Sequence, residues 1–434
     1  MSDRAALLAA VAARPDDDLP KLVFADWLDE NGDPDRAEFI RLAVAYYREA
    51  VAHPPATDPA KARRMEELFA AHYRTWLKPI YDAVGQPVPD VRKDVGSQGG
   101  IALTTIDRPL VSCVLHAGFV GMLTLSVGSL PSNADLPAAF AAEPINTLSL
   151  MLSADVAAWE RLNGPHLRQV YSLTANLARV GYPSPDDPDA VPHPLADAVF
   201  GSEHLTGLRS LMIGGRSGER AGGYADAFFA ALRRSPVRRQ LTSLSLLSVP
   251  HLGRFLARPD GFENVRKLVA KPGSTPAAAD ELFARDIDDG FRERLTRLVI
   301  DTSPVYRLGW LTAGRPWEHL DTLFLTGNGV GDVGATQLAG ADTLPALREL
   351  RVQNVQIGDV GAIALARAPW VANLKALYLD HNPIGDDGLI ELALALDRGL
   401  GYLSVQNARS PVSVATRRAL IAKYGLRVNL GEAG

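Results

Sequence analysis

Two periodicities of apolar residues divide the chain. Up to about residue 83 the apolar positions recur three and four apart, the helical spacing. Leu7, Leu8 and Val11 form one such face, which Ser2 can cap, and this first helix ends near Arg14-Pro15. Leu22, Val23, Ala25, Trp27 and Leu28 predict a short second helix after Pro20, a residue tolerated in a first turn. Asn31-Gly32-Asp33-Pro34 is strong turn chemistry. Phe39, Ile40, Leu42, Ala43 and Tyr46 then supply a third helix, interrupted by "HPPATDP" at 53–59. A fourth, over roughly Lys61 to Ala83, carries Met65, Leu68, Phe69, Tyr73, Trp76 and Leu77 on one side. Residues 84–110 are rich in Gly, Pro, Asp and Ser and read as a linker.

From residue 111 a different pattern takes over and repeats. Its clearest copies are "HLDTLFLTGNGVGDVGATQLA", "ALRELRVQNVQIGDVGAIALA" and "NLKALYLDHNPIGDDGLIELA", whose first leucines, Leu320, Leu347 and Leu374, are 27 residues apart. Apolar residues occupy relative positions 1, 4 and 6, followed by Gly-Asp-x-Gly and a helical Ala/Leu stretch. This pattern is identified as the leucine-rich repeat, in the long form with a helical return found in ribonuclease-inhibitor-type arrays. The same signature recurs at Val120, Ile145, Leu208, Leu241, Val265, Leu295 and Leu400, and a degenerate copy starts at Leu167, giving about eleven strands. A single repeat cannot bury its own leucines, so stacked neighbours must share one core. The expected fold class is therefore α/β: a leucine-rich-repeat solenoid over residues 111–434, a horseshoe with a parallel sheet on the concave face and helices on the convex face. A small all-α domain over 1–83 precedes it.

Within the repeats, Asn328 and Asn382 hold a position where asparagine usually bonds backbone groups of the turn and of neighbouring repeats, and the middle copy has Val355 there. Asp332, Asp359 and Asp386 suit helix N-termini, and the glycines beside them allow close approach to the next layer.

Composition narrows the function classes. The 434 residues carry a net charge of −5, without the basic excess typical of nucleic-acid binders. Cys113 is the only cysteine, which excludes an intrachain disulfide framework and fits a reducing compartment. No apolar run reaches the ~20 residues that span a bilayer. The opening "MSDRAALLAAVAARPDDD" has Asp3 where a signal peptide is basic, and reads as the first helix of a cytoplasmic protein.

Candidate chemistry is sparse. "WLDENGDPDRAE" at 27–38 places Asp29, Asn31, Gly32, Asp35 and Glu38 at calcium-loop spacing, but its first ligand position is Trp27. The better reading is an acidic turn between helices, with Asp26, Arg36 and Glu38 pairing across it and Asp33 capping the helix that follows. "GGRSGERAGG" at 214–223 lacks the lysine of a phosphate loop and the G-x-S-x-G spacing of a nucleophile elbow. The histidines form no zinc motif, and His116, His166, His319 and His381 fall at repeat edges as surface or turn residues. No metal or cofactor is expected.

The stretch "DDDLPKLVFADWLDENGDPDRAEFIRL" at 16–42 resembles the bacterial repeat-companion domain, a helical module that precedes repeat arrays. "HAGFVGMLTL" and "LIAKYGLRVNL" resemble the array boundaries seen with that module. The resemblance implies an architecture and no enzymatic activity.

Function is expected on the concave face, as non-catalytic binding of a protein partner by a scaffold, adaptor or inhibitor. The C-terminal repeats present Asp301, Phe324, Glu349, Arg351, Tyr378, Asp380 and Tyr402 there, and aromatic and arginine side chains dominate binding hot spots. The alternative from another class is a hydrolytic enzyme, which requires Asp301, Glu349 and Asp380 to converge in a cleft. A nucleic-acid binder would need a continuous basic stripe.

Overall fold

A computed structural model describes residues 2–52, 58–95, 101–105, 111–152, 156–176, 194–214, 228, 230–249, 261–272, 288–301, 308–327, 329–406 and 412–431. The chain forms two compact units, one built on residues 1–180, 192–211 and 235–237, the other chiefly on 212–234 and 238–434.

In the first unit four helices come first: α1 (Asp3–Ala13), α2 (Asp18–Glu30), α3 (Pro34–Ala52) and α4 (Pro59–Ala83). Ser2 caps α1 by accepting from the Ala5 amide. Helix α2 starts before Pro20, not after it, because Asp17 accepts from the Leu19 amide at 3.0 Å and Pro20 then falls in the first turn, where no N–H is needed.

Leu8, Val11, Phe24, Leu28, Ile40 and Val44 pack into one core with Ala117 and Phe119. Those last two belong to the hairpin between β3 (Val111–His116) and β4 (Phe119–Ser126). Gly118 sits at its tip with φ +86°, and a Cβ there would lie 2.8 Å from the Ile40 Cα. Only glycine permits both that backbone and that approach. Thus "HAGFVG" joins the helical segment to the first repeat in a common interior.

The stretch read as a linker is partly ordered differently. It contains β1 (Val91–Val95) and β2 (Ile101–Thr105), which pair antiparallel with each other, and β2 pairs antiparallel with β3. Pairing becomes parallel only from β4 onward, to β5 (Thr147–Met151) and then β6 (Ser172–Asn176). Register corrects the degenerate copy: Leu148 pairs with Leu173, so this repeat starts at Val170 and not at Leu167. Its middle outward residue is Thr174, the register partner of Ser149. Strand β7 is Ser210–Gly214.

In the second unit, β8 (Ser243–Val249), β9 (Lys267–Pro272), β10 (Arg297–Asp301), β11 (Thr322–Thr326), β12 (Glu349–Gln353), β13 (Ala376–Tyr378), β14 (Tyr402–Ser404) and β15 (Val428–Asn429) pair parallel in chain order. Leu323, Leu325, Leu350, Val352, Leu377, Leu379, Leu403 and Val405 are buried, as the repeat spacing requires. The helices Gly331–Ala339, Asp359–Ala366 and Asp386–Asp397 return the chain between strands. The fold is an α/β leucine-rich-repeat solenoid with an all-helical N-terminal region.

The aspartates of Gly-Asp-x-Gly cap the next helix rather than their own. Asp332 Oδ1 accepts from the amides of Gly358 and Gly361 at 2.7 and 2.9 Å. Asp359 Oδ1 does the same for Gly385 and Gly388 at 2.7 and 3.1 Å, and Asp386 accepts from Ser413. A Cβ on Gly361 or Gly388 would lie 3.0 Å from the Cα of the capping aspartate, so the second glycine keeps the layers close. Each carboxylate therefore satisfies orphan donors one repeat ahead. Asp359→Ala is expected to cost about 1–2 kcal/mol, read as a lowered urea midpoint. Asp359→Asn, which keeps an acceptor oxygen, is expected to recover most of it.

The acidic turn is also corrected in detail. Asp26 and Asp29 both pair with Arg41 at 2.6 Å, and Glu38 takes Arg64 of α4 through both oxygens. Arg36 turns inward to Glu143 instead of pairing across the turn. Asp33 accepts from the Arg36 amide, as expected of a cap. Among the described residues, no three His, Cys, Asp or Glu side chains gather into a metal site. His166 lies in a turn, the 3-10 stretch Pro165–Gln169, with its half-buried ring 4.9 Å from that of Phe140, and burial lowers its pKa. Asn328, most of "GGRSGERAGG" and the Pro/Asp-rich stretch at 182–193 lie outside the described residues.

Candidate functional site

Side chains alternate across a strand, and parallel strands in register align equivalent residues into rows. On the outward face of the second unit, one row runs Val269, Val299, Phe324, Arg351, Tyr378, Ser404. A second runs Ser243, Lys267, Arg297, Thr322, Glu349, Ala376, Tyr402. A third contains Lys271, Asp301, Thr326 and Gln353 near the other ends of the strands.

Five of the seven expected residues lie together on this face. The Arg351 guanidinium lies 4.2 Å from the Tyr378 ring centroid, within cation–π range. Its Nε donates to Glu349 at 2.5 Å, and its two Nη nitrogens have no partner among the described residues. The Tyr378 and Tyr402 rings are 5.7 Å apart and tilted by 53°, a geometry that aromatic pairs favour. Phe324, half-buried, is the register neighbour of Arg351. Burial pushes the Tyr378 hydroxyl pKa up, against the opposing pull of Arg351, so the group stays a proton donor through neutral pH.

Asp301 and Asp380 stand apart from this cluster. Asp301 pairs with Lys271 at 2.7 Å. Its row is four residues along the strand from that of Glu349, roughly 13 Å at strand rise. Asp380 is only 7% exposed. Its Oδ2 accepts from Gln353, and its Oδ1 accepts from Ser404 and the Gln406 amide. That carboxylate holds the turns of neighbouring repeats together. The three acids required by the hydrolytic alternative thus have three separate partners and no common centre.

Lys267 and Arg297 were missed by reading only the later repeats for flanking positions. They are exposed register neighbours without an ion-pair partner among the described residues. Applying the same outward offsets to the copies at Val265 and Leu295 would have found them.

A leucine-rich-repeat family model matches residues 318–339, 344–366 and 372–393, the copies that carry Arg351 and Tyr378. No curated protein matches the chain. Among solved structures, the chain is similar to a protein from Bacteroides fragilis, with 15% identity, 67% of this chain and 75% of that one covered, and a TM-score of 0.38. It is also similar to an internalin from Listeria monocytogenes, with 12% identity, 72% and 87% covered, and a TM-score of 0.36. Among the described residues, no helix is long and apolar enough to cross a membrane.

Proposed function

We propose that the protein is a non-catalytic binding module of the bacterial cytoplasm, a scaffold, adaptor or inhibitor, that holds a protein partner on the outward face of the second unit's sheet. The observation that carries this reading is the Phe324–Arg351–Tyr378–Tyr402 cluster. A guanidinium stacked on an aromatic ring, with both Nη nitrogens available, is preorganised to meet a carboxylate or carbonyl of a partner. Strands of a stacked repeat lose little entropy on binding, so modest contacts accumulate. Glu349 orients Arg351, while Lys267 and Arg297 favour a partner with acidic groups. Residues 1–83 read as a repeat-companion domain whose task is to close the first repeat, with 84–110 as the connection into the array at 111–434.

The test is affinity capture from the native source with wild type and an Arg351→Ala/Tyr378→Ala variant of matched thermal stability. Hot-spot truncation costs about 2 kcal/mol or more, so a specific prey is expected to be lost or weakened roughly thirtyfold. An unchanged set of captured proteins would remove this face as the site.

A further inference from the structure

The first unit contains a cleft of about 370 Å³ between the α1–α2 turn and the ends of β4 to β6, within the size range of small-molecule pockets. Met122, Thr147 and Ser172, aligned in register, line it together with the apolar Val114 and Phe119. Lys21, from α2, lines it too and is 4% exposed.

A lysine this buried normally has a close counter-ion. Among the described residues Lys21 has one ion-pair partner, Asp18 Oδ1 at 3.4 Å, well beyond the length of a charge-assisted hydrogen bond. The other oxygen of Asp18 is taken by Arg48 at 2.7 Å, so two cations share one carboxylate. Asp16 is the remaining acid on the lining and is exposed, where solvent screens it. Lys21 thus holds only a long contact to a carboxylate that it shares with the exposed Arg48, inside an otherwise largely apolar cleft.

We propose that this cleft binds an amphipathic carboxylate. Its apolar body would rest on Met122, Phe119 and Val114, and its carboxylate would give Lys21 a closer counter-charge than the shared Asp18. The site belongs to the first unit and does not depend on the partner-binding face proposed above.

Calorimetric titration of the full chain with decanoate, below its micellar concentration, tests the idea against 1-decanol and decyltrimethylammonium. Decanoate is expected to bind at least tenfold more tightly than decanol, and the cation not at all. Lys21→Met, which keeps the side-chain volume, is expected to erase the preference for decanoate while leaving decanol binding intact. Met122→Trp, on the strand face and away from the ammonium, is expected to fill the cleft and weaken both ligands. Equal affinity for decanoate and decanol, or undiminished decanoate binding by Met122→Trp, overturns the proposal.

Discussion

Glu143→Ala is expected to destabilise the first unit by about 3–5 kcal/mol, because it leaves a buried arginine without its counter-charge. Glu143 is 2% exposed and Arg36 is 7% exposed. Arg36 Nη2 donates to Glu143 Oε1 at 2.5 Å, and Glu143 Oε2 accepts from the Val120 amide at 3.2 Å. One side chain thus ties the start of α3 to the end of the helix Leu136–Ala142 and to the first residues of β4. Removing it strands a guanidinium and a backbone donor in a place water does not reach. Urea unfolding followed by tryptophan fluorescence is expected to show a separate early transition. The double variant Arg36→Met/Glu143→Leu is expected to recover much of the loss, since apolar packing can replace a buried ion pair. A single Glu143→Ala change within 1 kcal/mol of wild type would mean that the pair is solvated.

Asn382→Ala is expected to be comparably severe in the second unit, at about 3–4 kcal/mol, given a cost of 1–3 kcal/mol for each buried group left unpaired. The residue is 0% exposed. Its Oδ1 accepts from the Val355 and Ile357 amides, both at 3.1 Å. Its Nδ2 donates to the carbonyls of Val352 and Leu379 at 2.7 and 2.9 Å. Four backbone groups of two adjacent repeats therefore depend on one side-chain amide. Asn382→Asp is expected to fail as well, because a carboxylate cannot donate to the two carbonyls. Chemical denaturation of the three proteins measures both losses.

Asn382 also shows how much of the fold was legible beforehand. The 27-residue spacing of Leu320, Leu347 and Leu374 fixed which residues face the core and which face out, because period 2 leaves no freedom once the register is set. The same spacing put Phe324, Arg351 and Tyr378 in one row before any coordinates. The partners of most acidic side chains were not legible. Asn382 bonds backbone groups of the neighbouring repeat, as its position in the repeat led one to expect, but Asp359 also reaches about one repeat away in sequence, where a linear reading pairs acids with their own helix. Asp380 looked like a surface acid for the same reason: its three donors come from β12 and from residues at and beyond β14. The strands at 91–95 and 101–105 escaped notice because the Gly, Pro and Asp residues around them dominate the local composition. The Lys21 cleft requires α2 and the strand ends together, which no spacing rule supplies.

Disulfide trapping tests the stacked register most directly. Cys113 is buried, and burial pushes its thiol pKa up to about 12, so it does not compete. Thr326 and Gln353 face each other on neighbouring parallel strands, close to the spacing a disulfide accepts. Thr326→Cys/Gln353→Cys is expected to oxidise rapidly and nearly completely in the native protein. Thr326→Cys/Glu349→Cys, displaced by four residues along the strand, is expected to stay reduced. Efficient bonding in the displaced pair, or none in the aligned one, would contradict the register on which the binding face is built.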